Sequence, residues 1–270
     1  MDVKPIRALG RGLAVLAALN RHASATALTL ARETGLPRAT VYRSLKTLID
    51  FGYVTQSRSD DRFTLLLRVR ELSEGFEDEQ WLGAAAVPVI FDLTRKILWP
   101  CDVTTLEGVR MVVRESTHRF APMSIDRRMV GVRMPLLGSS AGIAYLASTS
   151  ARERKLLLDL LEASGELEDR RGAERHLAST RRRGYAVRQG GPIWPHTGSI
   201  AMPIRRGKQV IGCASIIWMT RALSLSEGIT RCQGPLRQAI RAIEARMGQV
   251  SGGKIPILRH VQGSNPPQDP

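Results

Sequence analysis

The sequence predicts an α+β protein: an N-terminal winged helix-turn-helix, a linker helix and a larger mixed domain. Three observations predict it. Two helix-forming segments meet at Gly35-Leu36-Pro37, a strand–turn–strand pattern follows the second at once, and beyond residue 80 strand-like runs are interspersed with amphipathic helical ones. The implied divisions are 5–66, a linker helix over 67–79, a second domain over 80–250 and a proline-bearing tail over 251–270, expected to be disordered.

Leu9, Leu13 and Leu16 recur at helical spacing and predict a first helix from Arg11 to Asn20. Thr26 is a suitable N-cap for a second helix to Thr34, and Gly35 supplies the left-handed residue that ends it. Pro37 opens a third helix, Arg38 to Phe51, because the N–H it lacks has no partner in a first turn anyway. Val41, Leu45 and Leu48 form that helix's inward stripe, leaving Arg38, Ala39, Thr40, Tyr42, Arg43 and Lys46 elsewhere. These residue types suit a major groove: arginine forks onto guanine, alanine and threonine methyls meet thymine, and lysine and tyrosine hold phosphates. The hairpin Tyr53–Leu65 is the wing. Arg58 and Arg62 flank its tip, while Asp60 and Asp61 disfavour deep insertion and suit a turn. Thr26, Arg58 and Arg62 complete the candidate DNA-contacting set.

The charge agrees. The chain of 270 residues carries 40 Lys and Arg against 25 Asp and Glu, a net charge of +15, and residues 1–70 hold 12 of those cations against 5 acids. Such an excess lowers the cost of approaching a polyanion. No apolar run is long enough to cross a bilayer and no secretory leader is evident, so a cytoplasmic protein is expected. Cys101, Cys213 and Cys232 fit neither a disulfide framework nor a zinc knuckle, and neither metal nor cofactor is expected.

Leu65, Val69, Leu72 and Phe76 predict the linker helix. Trp81, Ala85, Val89, Leu93 and Ile97 predict another from Gln80 to Leu98, kinked or split at Pro88. Strands follow at Asp102–Leu106 and Arg110–Ser116, then an irregular stretch to Arg133 and a short helix from Gly142 to Ala147. Ser150 and Glu153 form a capping box for a helix through Leu161, and Ala173–Arg183 forms another. Thr197–Ile204 and Gln209–Met219 make a hairpin, and Leu236, Ile240, Ile243 and Met247 mark a closing helix. The backbone N–H groups opening the helix near Ser139, Ser140, Ala141 and Gly142 form a natural carboxylate site, with Arg114 and His118 as candidate charge partners and Ser116 as a donor.

In this order the parts resemble the IclR family of bacterial regulators. Three stretches carry the resemblance, which covers about residues 5–248: Arg11-Gly12-Leu13-Ala14-Val15-Leu16, the helix-turn-helix Ala31 to Arg43, and Pro135-Leu136-Leu137-Gly138-Ser139-Ser140-Ala141-Gly142. Within the family, Leu72–Phe76, Asp78–Trp81 and Val112–Phe120 look like segments of activators of hydroxyphenylpropionate catabolism. The resemblance implies a GAF-like second domain and an organic-acid effector, aromatic by the nearest likeness. It also implies a homodimer or dimer of dimers on a palindromic double-stranded operator, with RNA polymerase a candidate partner. Carried over, the pocket includes Ser140, Ala141, Ala201 and Ser215, with Cys213 beside them. Where many members have an acidic residue, this chain has Trp194-Pro195-His196-Thr197.

Gly138-Ser139-Ser140-Ala141-Gly142 also matches the nucleophile elbow of α/β-hydrolases, with Ser140 as nucleophile, His176 or His196 as base and Asp159 or Asp169 as acid. Its context argues against it: Pro135 interrupts the strand the elbow requires, and the alternating βα pattern is missing. A third alternative, an architectural DNA binder, leaves the second domain without a role.

Overall fold

The computed structural model describes residues 6–22, 24–57, 59–72 and 81–252. The chain divides into two compact units, residues 1–78 and 79–270. Residues 73–79 of the expected linker and the expected tail beyond Gly252 lie outside the described residues.

The first unit holds helices α1 (Arg7–Asn20), α2 (Ala27–Thr34) and α3 (Arg38–Asp50), and a three-stranded antiparallel sheet. Its strands β1 (Ala25–Thr26), β2 (Val54–Gln56) and β3 (Arg62–Leu65) lie in the order β1-β3-β2. The first helix starts four residues before the expected Arg11. Its inward face is Val15, Ala18 and Leu19, whereas Leu9 and Leu13 are exposed. Thr26 caps α2 by accepting the Thr29 N–H at 3.3 Å, and Gly35 ends α2 at φ 67°, a conformation that costs glycine nothing. Val41 and Leu45 of α3 join Leu19, Leu30, Val54 and Phe63 in one core. The two-residue strand β1, not foreseen, pairs Ala25 with Phe63. Of the expected linker helix a single turn is described, α4 (Arg68–Glu71), where Arg68 donates to the Phe51 carbonyl at 2.8 Å.

The second unit is a six-stranded antiparallel sheet between two helical layers. Its strands are β4 (Cys101–Glu107), β5 (Arg110–Ser116), β6 (Arg133–Pro135), β7 (Ala186–Gln189), β8 (Thr197–Arg206) and β9 (Gln209–Met219), in the order β6-β5-β4-β9-β8-β7. Strand alternation divides the core. Cys101, Val103, Ile200, Met202, Ala214, Ile216 and Trp218 face α5 (Val87–Ile97) and α9 (Leu225–Gly252). Met111, Val113, Met134, Ala201 and Cys213 face α6 (Ser140–Ser148), α7 (Ala151–Ala163) and α8 (Arg170–Arg183). Trp99 and Trp218 are core residues, and Trp218 fills the space that Gly198 and Gly228 leave open.

Several expectations need correction. The helix expected from Gln80 is π-helical over Leu82–Ala86 and runs without a gap into α5, so the break expected at Pro88 takes the form of a change of helix type just before it. The capping box at Ser150 is half formed. Ser150 accepts the Glu153 N–H at 3.1 Å, but the Glu153 carboxylate turns to the hydroxyls of Tyr145 and Thr149 instead. Helix α8 begins at Arg170 under an Asp169 cap, and α9 begins at Leu225 and continues through Pro235. Strands β6 and β7 were not anticipated.

Candidate functional site

On α3, Arg38, Ala39, Tyr42, Arg43 and Lys46 are exposed and Thr40 is half-buried, on the side opposite Val41 and Leu45. Lys46 pairs with Asp50 at 2.5 Å, and Tyr42 meets Phe63 edge-on with ring centroids 6.5 Å apart. No ion pair holds Arg38 or Arg43 among the described residues. The wing turn is closed by the Ser57 N–H donating to the Arg62 carbonyl at 2.7 Å. Asp61 takes the left-handed position at φ 51° and accepts from Gln56 at 3.2 Å. Arg62 differs from expectation: its guanidinium donates to Ser24 Oγ at 2.9 Å and to the Ser24 carbonyl at 3.1 Å, fastening the wing to the head of β1. Thr26 is engaged as a helix cap. Arg58 lies outside the described residues.

In the second unit a narrow cavity of about 30 Å³ opens between the start of α6 and the polar ends of β4, β7, β8 and β9. Its floor carries Ser199, Ser215 and Ile217; Ala141, Met129 and Met134 add apolar wall. Helix α6 is placed by close packing. A Cβ at Gly142 would stand 2.2 Å from the Leu136 carbonyl oxygen, so only glycine lets the helix approach that loop. Ser139 caps α6, accepting the Gly142 N–H at 3.1 Å and donating to the Pro135 carbonyl at 2.8 Å. The N–H groups of Ser140 and Ala141 precede any intrahelical acceptor.

The two ends of the cavity differ in charge. At one, Arg188 of β7 donates to the carbonyls of Gly190 (2.5 Å), Trp194 (3.2 Å) and Thr197 (3.2 Å) and to Thr197 Oγ1 (2.7 Å), and it stacks over the Trp194 ring. All these partners are neutral. Burial pushes the Arg188 pKa below that of an ordinary guanidinium, and no carboxylate offsets this. At the other end are Asp102 and His118, both buried. Ser124 donates its hydroxyl proton to the Asp126 carbonyl at 2.7 Å, so it accepts from His118 Nδ1 at 2.7 Å; Nδ1 therefore carries a proton. His118 Nε2 stands 3.6 Å from Asp102 Oδ2. Burial alone would lower the histidine pKa, but the Asp102 carboxylate, then Asp126, outweigh it and raise the pKa above 6.5. Asp102 Oδ1 and His118 Nε2 have no hydrogen-bond partner among the described residues.

Of the residues expected at the effector site, His118, Ser139, Ser140, Ala141 and Ser215 line this cavity; Arg114, Ser116, Ala201 and Cys213 do not. Arg114 is the extra residue of a β-bulge, since Val103 pairs with Glu115 and Thr104 with Val113; bulges re-aim side chains, and it lines a separate depression with Glu107, Tyr145 and Arg206. Ser116 Oγ instead accepts the His118 N–H at 3.3 Å. Ala201 and Cys213 share the cavity's sheet face but sit further along their strands, inside the core against α6. Sequence reasoning missed Asp102, Arg188 and Ser199, which strand pairing brings together, and Asp126, which the irregular stretch between β5 and β6 supplies. Ser140 Oγ shares a hydrogen bond with Ser199 Oγ at 2.8 Å, and His176 and His196, the bases expected for the hydrolase alternative, are exposed and do not line the cavity.

Residues 8–58 match the IclR helix-turn-helix domain, and residues 78–245 match the C-terminal domain of bacterial IclR transcriptional regulators. The chain belongs to the IclR family. This makes it a DNA-binding transcriptional regulator with a second domain of the effector-binding type. The Pca regulon regulatory protein of Pseudomonas putida is 34% identical over 152 residues, which are 54% of this chain and 50% of that protein. A transcriptional regulator of Rhodococcus sp. RHA1 superposes with a TM-score of 0.68 at 25% identity, over 91% of this chain and all of that one. An IclR homologue from Microbacterium hydrocarbonoxydans, solved with 4-hydroxybenzoate, shares the fold with a TM-score of 0.62 at 24% identity, over 90% of this chain and 99% of that one. Among the described residues no helix of this family member is long and apolar enough to cross a membrane.

Proposed function

We propose that this IclR-family regulator reads a palindromic operator through α3, as a homodimer or dimer of dimers, and is controlled by an aromatic carboxylic acid bound in the cavity at the start of α6. Arg38, Ala39, Thr40 and Arg43 face base edges, and Tyr42 and Lys46 face phosphates. Arg62 and Thr26 hold the wing and α2 in place. Two-fold symmetry sets half-sites about one helical turn, roughly 10 bp, apart. The acid's carboxylate meets Arg188 and the opening N–H groups of α6, while its ring lies among Met129, Met134, Ala141 and Ile217.

One observation carries the effector reading: Arg188 is a half-buried cation in a cavity wall with only neutral partners. A charge so placed gains most when an anion arrives. The 4-hydroxybenzoate in the Microbacterium homologue gives the ligand its class. The test is fluorescence anisotropy with the full chain and DNA from upstream of its own gene, with and without benzoate and 4-hydroxybenzoate. Specific binding whose midpoint moves with an acid is expected. An acid that leaves both DNA affinity and melting temperature unchanged would remove it as effector.

A further inference from the structure

The acid end of the cavity is accounted for by Arg188, which leaves the opposite end with no assigned task. There Asp102 Oδ1, and His118 Nε2 at 3.6 Å from Asp102 Oδ2, make no hydrogen bond among the described residues, and their side chains, each 3% exposed, line the same cavity. Buried polar atoms are nearly always paired, so an unmatched acceptor beside an unmatched ring nitrogen needs an explanation. The pair is ill suited to a second carboxylate, because Asp102 and Asp126 already make that end anionic.

Sheet register fixes the geometry. Asp102 pairs with Ser215, Ser215 with Ala201, and Arg188 with Ser199 two residues away on the same face. Arg188 and Asp102 are thus three strands apart and two residues out of line, about 16 Å between backbones, and both line the cavity. The chain therefore offers a cation at one end, apolar walls in the middle, and an acceptor with a ring N–H at the other. Because Nδ1 holds a proton against Ser124, Nε2 carries one only in the charged ring, the form that the carboxylates of Asp102 and Asp126 favour.

We infer that Asp102 and His118 are specificity residues that select an aromatic acid bearing a hydroxyl group at the end of the ring remote from its carboxylate. A hydroxyl donates one hydrogen bond and accepts one. It donates to Asp102 Oδ1 and accepts from His118 Nε2–H, matching both unpartnered atoms at once. An unsubstituted ring covers them without pairing either, and a methyl ether can accept but not donate. A site with buried polar groups set for a hydroxyl rejects the analogue lacking it far more strongly than an apolar pocket does.

This inference rests on the cavity being the effector site, and the experiment separates the two claims. Calorimetric titration of the full chain compares benzoate with 4-hydroxybenzoate and 4-methoxybenzoate, and 3-phenylpropionate with 3-(4-hydroxyphenyl)propionate. In at least one series the hydroxylated acid binds about a hundredfold or more tighter than its partner, and the ether behaves like the unsubstituted acid. Asp102→Asn and His118→Gln each narrow the gap to less than about tenfold by weakening the hydroxylated acid alone. Equal affinity within both series, with Arg188→Gln weakening every acid, overturns the hydroxyl selection and leaves the effector site standing. Acid binding that Arg188→Gln does not alter overturns both. Should the Asp102 variant fail to fold, the comparison of acids on the unaltered chain still decides.

Discussion

Replacing Arg188 with glutamine should separate ligand recognition from folding. In the ligand-free chain the substitution removes bonds to three carbonyls and the Thr197 hydroxyl, each worth about 1 kcal/mol. It also removes a partly buried cation that no carboxylate neutralises, a relief of the same order. These opposed effects leave the ligand-free stability within about 1–2 kcal/mol of the original. The acid loses much more: a forked, charge-assisted contact worth about 3 kcal/mol corresponds to roughly 150-fold in affinity. With acid at about 100 times the original Kd, the unaltered chain gains about 2.7 kcal/mol, while the variant at the same concentration gains about 0.3 kcal/mol. For a unit of this size those gains are about 5–11 °C and about 1 °C in Tm. Differential scanning fluorimetry with and without 4-hydroxybenzoate reads both numbers. A variant that melts normally and keeps the full ligand-induced shift would refute the placement of the carboxylate at Arg188.

Arg43→Ala should cost about 1–3 kcal/mol of specific operator affinity if Arg43 reads a base, with non-specific binding at low salt far less changed; competition anisotropy against scrambled duplex measures both. Gly142→Ala drives a Cβ into the Leu136 backbone, so chemical denaturation should show a loss of about 1–3 kcal/mol and acid binding should weaken with it. Leu45→Ala, in the core beneath the reading face, should lower the first unit's stability by about 2–5 kcal/mol, seen as early loss of helical signal on heating. His118 has a raised pKa when folded, so its pairing with Asp102 stabilises fully below pH 6.5 and is lost as pH rises through the folded pKa. The groups facing it are Asp102, Asp126 and Ser124. Melting temperatures of His118→Gln should therefore lack part of the decline shown by the unaltered chain over that interval, and an identical pH profile would contradict the pairing.

What was legible in the sequence was local. Thr26, Gly35 and Pro37 determine where helices begin and end through short-range backbone chemistry, and α2 and α3 start where those residues say. The hairpins around Gly108 and Gly207 are legible for the same reason, since both glycines take positive φ. Short strands were not: β1, β6 and β7 have two to four residues each and exist because distant partners offer edges. The candidate cavity divides in the same way. Ser139, Ser140 and Ala141 were found because a helix start is a local signal. Arg188 and Asp102 were missed because only the pairing of β4, β9, β8 and β7 brings residues so far apart in sequence to one space. Arg114 looked as suitable as His118 in the sequence, and a bulge invisible there sends it elsewhere.

Hydroxyl-radical footprinting of the upstream DNA, with the full chain and with Arg43→Ala side by side, tests the central claim most directly. The account predicts two protected half-sites roughly 10 bp apart for the unaltered chain, and loss of that protection in the variant while weak, uniform coverage persists at low salt. Indistinguishable footprints from the two proteins, or no protected half-sites from either, would contradict it.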